Sequence, residues 1–133
     1  MNCKMKEVIN MYSTLDKLSK TTCPFRVTYW VTKNIHALSP TFEAFSKERD
    51  LIYADCLYAD KDGNRAHQNE NGDYVFNVKE DKKEEWIKRF DELDKFDVEF
   101  EPYLLDIDKL MESDPDFKIE PQLMTALMPL IKF

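Results

Sequence analysis

The clearest pattern of apolar positions lies between Pro24 and Cys56, where apolar residues recur every three or four positions. This stripe consists of Val27, Val31, Ile35, Leu38, Phe42, Phe45 and Ile52. Such spacing places the side chains on one face of a helix. It predicts a helix over residues 25–55, roughly 45 Å long at 1.5 Å per residue. The stripe is a packing surface, and it indicates architecture rather than chemistry.

A shorter stripe precedes it and predicts a first amphipathic helix over residues 4–20, with Met5, Val8, Tyr12 and Leu15 on its apolar face. The segment 21–24 ends this helix, because the residue before a proline is disfavoured in the α region, and Pro24 suits the first turn of the next helix. We therefore expect the two helices to pack antiparallel as a helical hairpin.

Pro40 lies inside the long predicted helix and leaves two interpretations open. Proline costs about 3 kcal/mol in a helix interior. Either the helix is continuous but kinked, or a new helix begins with Ser39 as N-cap and Pro40 in its first turn. The apolar stripe keeps its phase across the proline, which favours one continuous, kinked helix.

The helical spacing of apolar residues ends after Cys56. Both glycines of the chain follow, in Asp62-Gly63 and Asn71-Gly72. These dipeptides are typical of tight turns. The segments 65–68, 74–78 and 96–101 predict strands that form one small antiparallel sheet. Two shorter helices are predicted, one beginning near Asp81 and one at Pro121. We expect an α+β fold, predominantly α, with residues 1–133 as a single domain.

Composition and charge narrow the class of protein. The net charge of −7, from 26 acidic and 19 basic residues, argues against direct nucleic-acid binding, which needs cations to neutralise phosphates. The three cysteines, Cys3, Cys23 and Cys56, show no paired spacing, so we expect free thiols and a cytoplasmic protein. No apolar run approaches the roughly 18 residues that span a bilayer, so no membrane association is expected.

The search for chemistry predicts no catalytic residue, no metal ligand and no cofactor. Segment 60–64 resembles a calcium loop only superficially, because an EF-hand needs glycine at position six and glutamate at twelve; a turn is the better interpretation. His36 and His67 are the only histidines, which is too few for a multi-histidine metal site. A nucleophilic Cys–His pair would require Cys23 or Cys56 to meet a histidine that is distant in the sequence. An enzyme is therefore the least favoured class.

Trp30 and Tyr29 beside the apolar stripe broaden its apolar surface beyond what one partner helix covers. Either they belong to the core, or they mark an interface, because aromatic side chains anchor many protein interfaces. On the second interpretation the chain forms a homo-oligomer, most simply a dimer. The predicted interface residues are then Trp30, Val31, Ile35, Leu38, Phe42 and Phe45.

A series of short motifs in a fixed order runs along nearly the whole chain. The motifs are Cys23-Pro24-Phe25, Tyr29-Trp30, Lys33-Asn34-Ile35, Leu38, Phe42, Phe45, Glu48-Arg49, Leu51, Asp62-Gly63-Asn64, Asn71-Gly72, Tyr74, the Leu93 helix, Val98-Glu99-Phe100 and a terminal Leu-Met helix. In this order they resemble a group of small bacteriophage and prophage proteins of unknown function, although Pro40 in the long helix departs from the pattern. The resemblance implies a phage context, with a helical hairpin and a small sheet, and it implies no activity.

Two function classes lead. The first is a non-catalytic interaction or assembly protein that self-associates through the long helix or binds a phage or host protein. The second is an inhibitor of host antiphage defence, which binds a defence protein or sequesters a nucleotide signal in the host cytoplasm. Sequestering a nucleotide needs a positive pocket, and the candidate residues near the long helix are Arg26, Lys33 and Arg49.

Overall fold

Helices dominate the computed structural model, which describes all 133 residues and confirms the predicted α+β class. Its contacts fall into two units, Met1–Glu43 with Phe96–Phe133, and Ala44–Lys95. That residues 1–133 form one domain stays a prediction. The elements in chain order are β1 (Asn2–Lys4), α1 (Met5–Ser19), α2 (Phe25–Cys56), β2 (Ala66–Gln68), β3 (Tyr74–Phe76), α3 (Lys83–Asp94), β4 (Asp97–Glu99), β5 (Leu105–Asp106), α4 (Ile107–Ser113), α5 (Pro121–Leu127) and β6 (Ile131–Lys132).

Helix α1 follows the predicted boundaries closely. Its first turn is stabilised by Glu7, whose carboxylate accepts a hydrogen bond from the backbone N–H of Lys4 at 3.1 Å. Its apolar face is buried, including Val8 and Leu15, which have no exposed surface. Helix α1 packs against α5, and the ring of Tyr12 stacks on Phe42 of α2 with centroids 4.1 Å apart.

Helix α2 continues through Pro40, as the phase of the apolar stripe predicted. The Ser39 hydroxyl donates to the Ile35 carbonyl at 2.7 Å, so it does not cap a new helix. Proline has no N–H, and the His36 carbonyl therefore loses its usual helical donor. His36 and Pro40 are both exposed, so water can replace that hydrogen bond.

The strands do not form one sheet, and this part of the prediction is wrong. They form three two-stranded sheets: β2 with β3 antiparallel, β1 with β4 antiparallel, and β5 with β6 parallel. The predicted strand at 96–101 appears as β4 and pairs with the amino-terminal segment, with Cys3 opposite Val98. The sequence did not predict four short elements, because each is only two to seven residues long and shows no period of apolar residues. These elements are β1, β5, α4 and β6.

The first unit buries three of the residues predicted to form an oligomer interface, and this corrects the prediction for them. Trp30 and Leu38 are fully buried and Val31 nearly so. The indole N–H of Trp30 donates to the carbonyl of Leu130 at 2.9 Å, so the carboxyl-terminal segment covers this part of the stripe. These side chains are core residues. For Ile35, Phe42 and Phe45, which are half-buried, interface contact stays a prediction.

The second unit is organised around an aromatic cluster of Tyr53, Phe76, Trp86 and Phe90. Tyr53 stacks on Trp86 with ring centroids 5.8 Å apart, and Phe90 meets Trp86 edge-on at 4.6 Å. Arg89 of α3 adds polar contacts beside the cluster, 2.8 Å from the Asp55 carboxylate and 3.3 Å from that of Glu48. Ring contacts and ion pairs thus join α3 to the end of α2.

Candidate functional site

The first unit contains a cavity of about 670 Å³ that we call the cationic cavity. It is lined by the first residues of α2, the segment before β5, helix α4 and strand β6. Its volume is in the range of small-molecule sites, which is roughly 300–1,000 Å³. Its lining combines aromatic rings with cationic side chains. The aromatic residues are Phe25, Tyr29 and Tyr103, and the cations are Arg26, Lys109 and Lys132.

The aromatic rings of this cavity touch one another and leave part of their surface open. Tyr29 lies between Phe25 and Tyr103, with ring centroids 6.1 Å and 5.4 Å away, and it meets Tyr103 edge-on. Phe25 is 78% exposed, and the two tyrosines are 43% exposed each. Large aromatic side chains usually bury most of their area, and Phe25 departs from this rule while the two tyrosines do not. The wall therefore leaves most of Phe25 and part of each tyrosine open to a ligand.

Asn34 holds Tyr103 in place from the interior. Its side chain is fully buried and bonds both backbone groups of Tyr103, accepting from the N–H at 3.1 Å and donating to the carbonyl at 2.8 Å. It also donates to the Trp30 carbonyl at 3.0 Å. The segment before β5 is therefore attached to α2 by a satisfied polar contact, which gives the aromatic wall a defined position.

The carboxylates of the cavity accept hydrogen bonds from protein groups, whereas its cations form no ion pair. Arg26, Lys109 and Lys132 form no ion pair in the structure. The Asp106 carboxylate instead accepts from the backbone N–H groups of residues 108 and 109 as the N-cap of α4. The Asp114 carboxylate accepts from the Ser113 hydroxyl at 2.9 Å. The three cations are thus available to an anion.

The structure does not gather the three predicted pocket residues in one cavity. Arg26 lines the cationic cavity, whereas Lys33 lines a separate one and places its Nζ 5.9 Å from the Tyr29 ring centroid. Arg49 belongs to the second unit, where its side chain lies 3.4 Å from the Asp50 carboxylate and over the Phe45 ring. The sequence pattern did not predict the other two cations of the cavity, Lys109 and Lys132, because α4 and β6 are too short to show a period that places them near Arg26.

The second unit has a separate apolar feature, a cavity of about 440 Å³ that we call the hairpin groove. Strand β3 and helix α3 form its walls, and its main apolar residues are Tyr58, Val75, Phe76, Trp86 and Ile87. Ile87 is 68% exposed, and Tyr74 on the same strand is 77% exposed. An exposed apolar patch of neighbouring residues is typical of a protein-binding surface, whereas single exposed apolar residues are not.

Polar contacts fix the hairpin that carries this groove. Asn77 is buried, its side chain contacts the Nδ1 atom of His67, and its amide donates to the Asn64 carbonyl at 3.1 Å. The Asp60 carboxylate accepts from the backbone N–H groups of Asp62 and Asn64 at 2.9 Å each. Segment 60–64 is therefore a turn, as predicted, with Gly63 at a positive φ of 81°.

The remaining candidates for reactive or metal-binding groups are the cysteines, histidines and carboxylates. All three cysteines are free thiols, and burial raises the pKa of Cys3 and of Cys56, so both are protonated at neutral pH. No group of three or more histidine, cysteine or carboxylate side chains is placed to hold a metal ion. None of the helices combines the length and the apolar character that crossing a membrane requires.

Comparison with known proteins finds no matching family model, no matching curated protein and no matching solved structure. The cationic cavity and the hairpin groove are therefore the two features that support a functional proposal.

Proposed function

We propose that this protein is a non-catalytic interaction protein that self-associates through the hairpin groove of its second unit. The observation that supports this is the exposed apolar surface formed by Val75, Phe76 and Ile87 on neighbouring elements. The proposal keeps the interaction class that the sequence favoured, but moves the contact away from the buried part of the long helix. The phage context and the host cytoplasm remain what the resemblance and the cysteine pattern imply.

A second copy of the chain is the partner that suits this surface best. Strands β2 and β3 form a two-stranded sheet, so β3 has an open edge beside the exposed Tyr74 and Val75. Edge strands pair readily with other strands. An antiparallel pairing of β3 with its own copy is two-fold symmetric, as are most soluble oligomers. It would place strand β3, whose Val75 and Phe76 line the groove, at the interface.

Light scattering after size-exclusion chromatography at micromolar concentration tests this proposal. We expect a particle of twice the 15.8 kDa chain mass. Ile87→Lys places a charge in the proposed interface and should give the single-chain mass without loss of helix signal. Leu51→Lys is the matched control, because Leu51 is 55% exposed in the same unit and lies outside the groove. A wild-type protein of single-chain mass would contradict self-association.

A second candidate function is capture of a small anionic ligand, as in an inhibitor that sequesters a nucleotide signal. The observation that favours it is the cationic cavity, whose lining includes three unpaired cations and three partly exposed aromatic residues. Capture needs no catalytic residue, and the sequence predicts none. It also does not depend on self-association, since the residues of this cavity all belong to the first unit.

A further inference from the structure

We infer that the cationic cavity binds a nucleotide, with the aromatic wall stacking on the base and the cations holding the phosphate. This inference rests on the second candidate function and names its ligand class and its binding residues. It does not depend on the first candidate, whose surface lies in the other unit.

The charge of the cavity is opposite to that of the whole chain. The chain carries a net charge of −7, whereas three cations and two carboxylates line this one cavity, and none of the three cations forms an ion pair. Helix α2, of 32 residues, begins at the cavity with no acidic residue in its first turn. The positive end of its dipole therefore adds to the attraction for an anion.

The rings select for a planar ligand. A bare inorganic anion would gain nothing from Phe25, Tyr29 and Tyr103, which are partly exposed and line the same cavity as the cations. Stacking on aromatic side chains is a common way to bind nucleobases, and it works for every base because each has a π face. Aromatic faces beside cations therefore indicate a ligand with both a flat ring and a negative group.

The carboxylates complete the set of groups that a nucleotide requires. Asp106 and Asp114 line the same cavity and can accept hydrogen bonds from ribose hydroxyls or from an exocyclic amino group. Asp106 retains free acceptor capacity, because only its Oδ1 atom is used in capping α4. A cavity of about 670 Å³ is large enough for a mononucleotide.

Isothermal titration calorimetry of the full chain at low salt tests the inference. The probes are the four ribonucleoside 5′-monophosphates, with adenosine and ribose 5-phosphate as separate arms. We expect at least one nucleotide to bind more tightly than about 1 mM, and at least tenfold more tightly than either fragment. Added salt should weaken binding, because the cations are at a partly open surface.

Two variants with matched controls identify the site. Phe25→Ala should weaken nucleotide binding roughly tenfold, since the stacking surface is lost. Phe96→Ala is its control, because Phe96 is 62% exposed in the same unit and does not line the cavity. Arg26→Gln should also weaken binding, whereas Lys118→Gln, an exposed cation outside the cavity, should leave it unchanged.

Three results would overturn the inference. They are no binding of any nucleotide up to about 1 mM, equally tight binding of ribose 5-phosphate, or equal effects of Phe25→Ala and Phe96→Ala. A dimer that binds no nucleotide would remove this inference and leave self-association intact. Nucleotide binding by a single-chain species would remove self-association and leave this inference intact.

Discussion

Replacing Trp30 with phenylalanine tests most directly whether the apolar stripe is core or interface. Trp30 is fully buried, and its indole N–H donates to the Leu130 carbonyl at 2.9 Å across a sequence separation of 100 residues. Phenylalanine keeps an aromatic ring at this position but provides no donor. Because Leu130 is itself fully buried, no water can replace the lost hydrogen bond.

Two contributions set the expected loss of unfolding free energy. A buried acceptor left without a partner costs about 1–3 kcal/mol. The smaller ring removes buried apolar atoms and leaves a small cavity, which adds roughly 1 kcal/mol. We therefore expect Trp30→Phe to cost about 2–4 kcal/mol, a large share of the roughly 5–15 kcal/mol by which a domain is stable. Trp30→Ala should cost about 3–5 kcal/mol from the lost ring alone.

Urea unfolding followed by far-ultraviolet circular dichroism measures this loss. Tyr29→Phe is the control on the neighbouring position, because Tyr29 is 43% exposed and its change should stay within about 0.5 kcal/mol. A loss below about 1 kcal/mol for Trp30→Phe would refute the core placement. A change in particle mass without a change in stability would instead support the interface interpretation of this residue.

Three further predictions follow from other contacts. Asn34→Leu should cost about 2–4 kcal/mol in urea unfolding, because it leaves the Tyr103 backbone N–H and carbonyl unpaired; an unchanged midpoint would contradict this. The hydrogen bond from Arg89 lowers the pKa of Asp55 in the folded protein. The stabilisation from this pair is therefore present above the ordinary aspartate pKa of about 3.9, and it is lost as the pH falls through the lowered pKa of the folded state. Calorimetry should therefore show the melting-temperature gap between wild type and Arg89→Met narrowing in acid, and a constant gap would oppose it. Ellman's reagent should modify at most the half-buried Cys23 in the native protein and all three thiols after unfolding, and reductant should not shift the melting temperature. Fast reaction of all three thiols in the native protein would contradict the burial of Cys3 and Cys56.

Local patterns in the sequence determined the elements that are long enough to show a period. Helices α1 and α2 were predicted nearly to their observed ends, and the unbroken phase of the apolar stripe correctly indicated that α2 continues through Pro40. The β2–β3 hairpin followed from Asn71-Gly72, because glycine readily takes the positive φ that this turn requires. Each of these features depends on residues close together in the chain.

Only the tertiary structure decided which distant segments meet. The pairing of Cys3 with Val98 separates β4 from the hairpin sheet, and the contact of Trp30 with Leu130 makes an apparent interface residue part of the core. The cationic cavity also arises in this way, since Arg26, Lys109 and Lys132 line the same cavity only after folding. Helical periodicity shows that a side chain faces a partner but not which partner, because that choice depends on the packing of the whole unit.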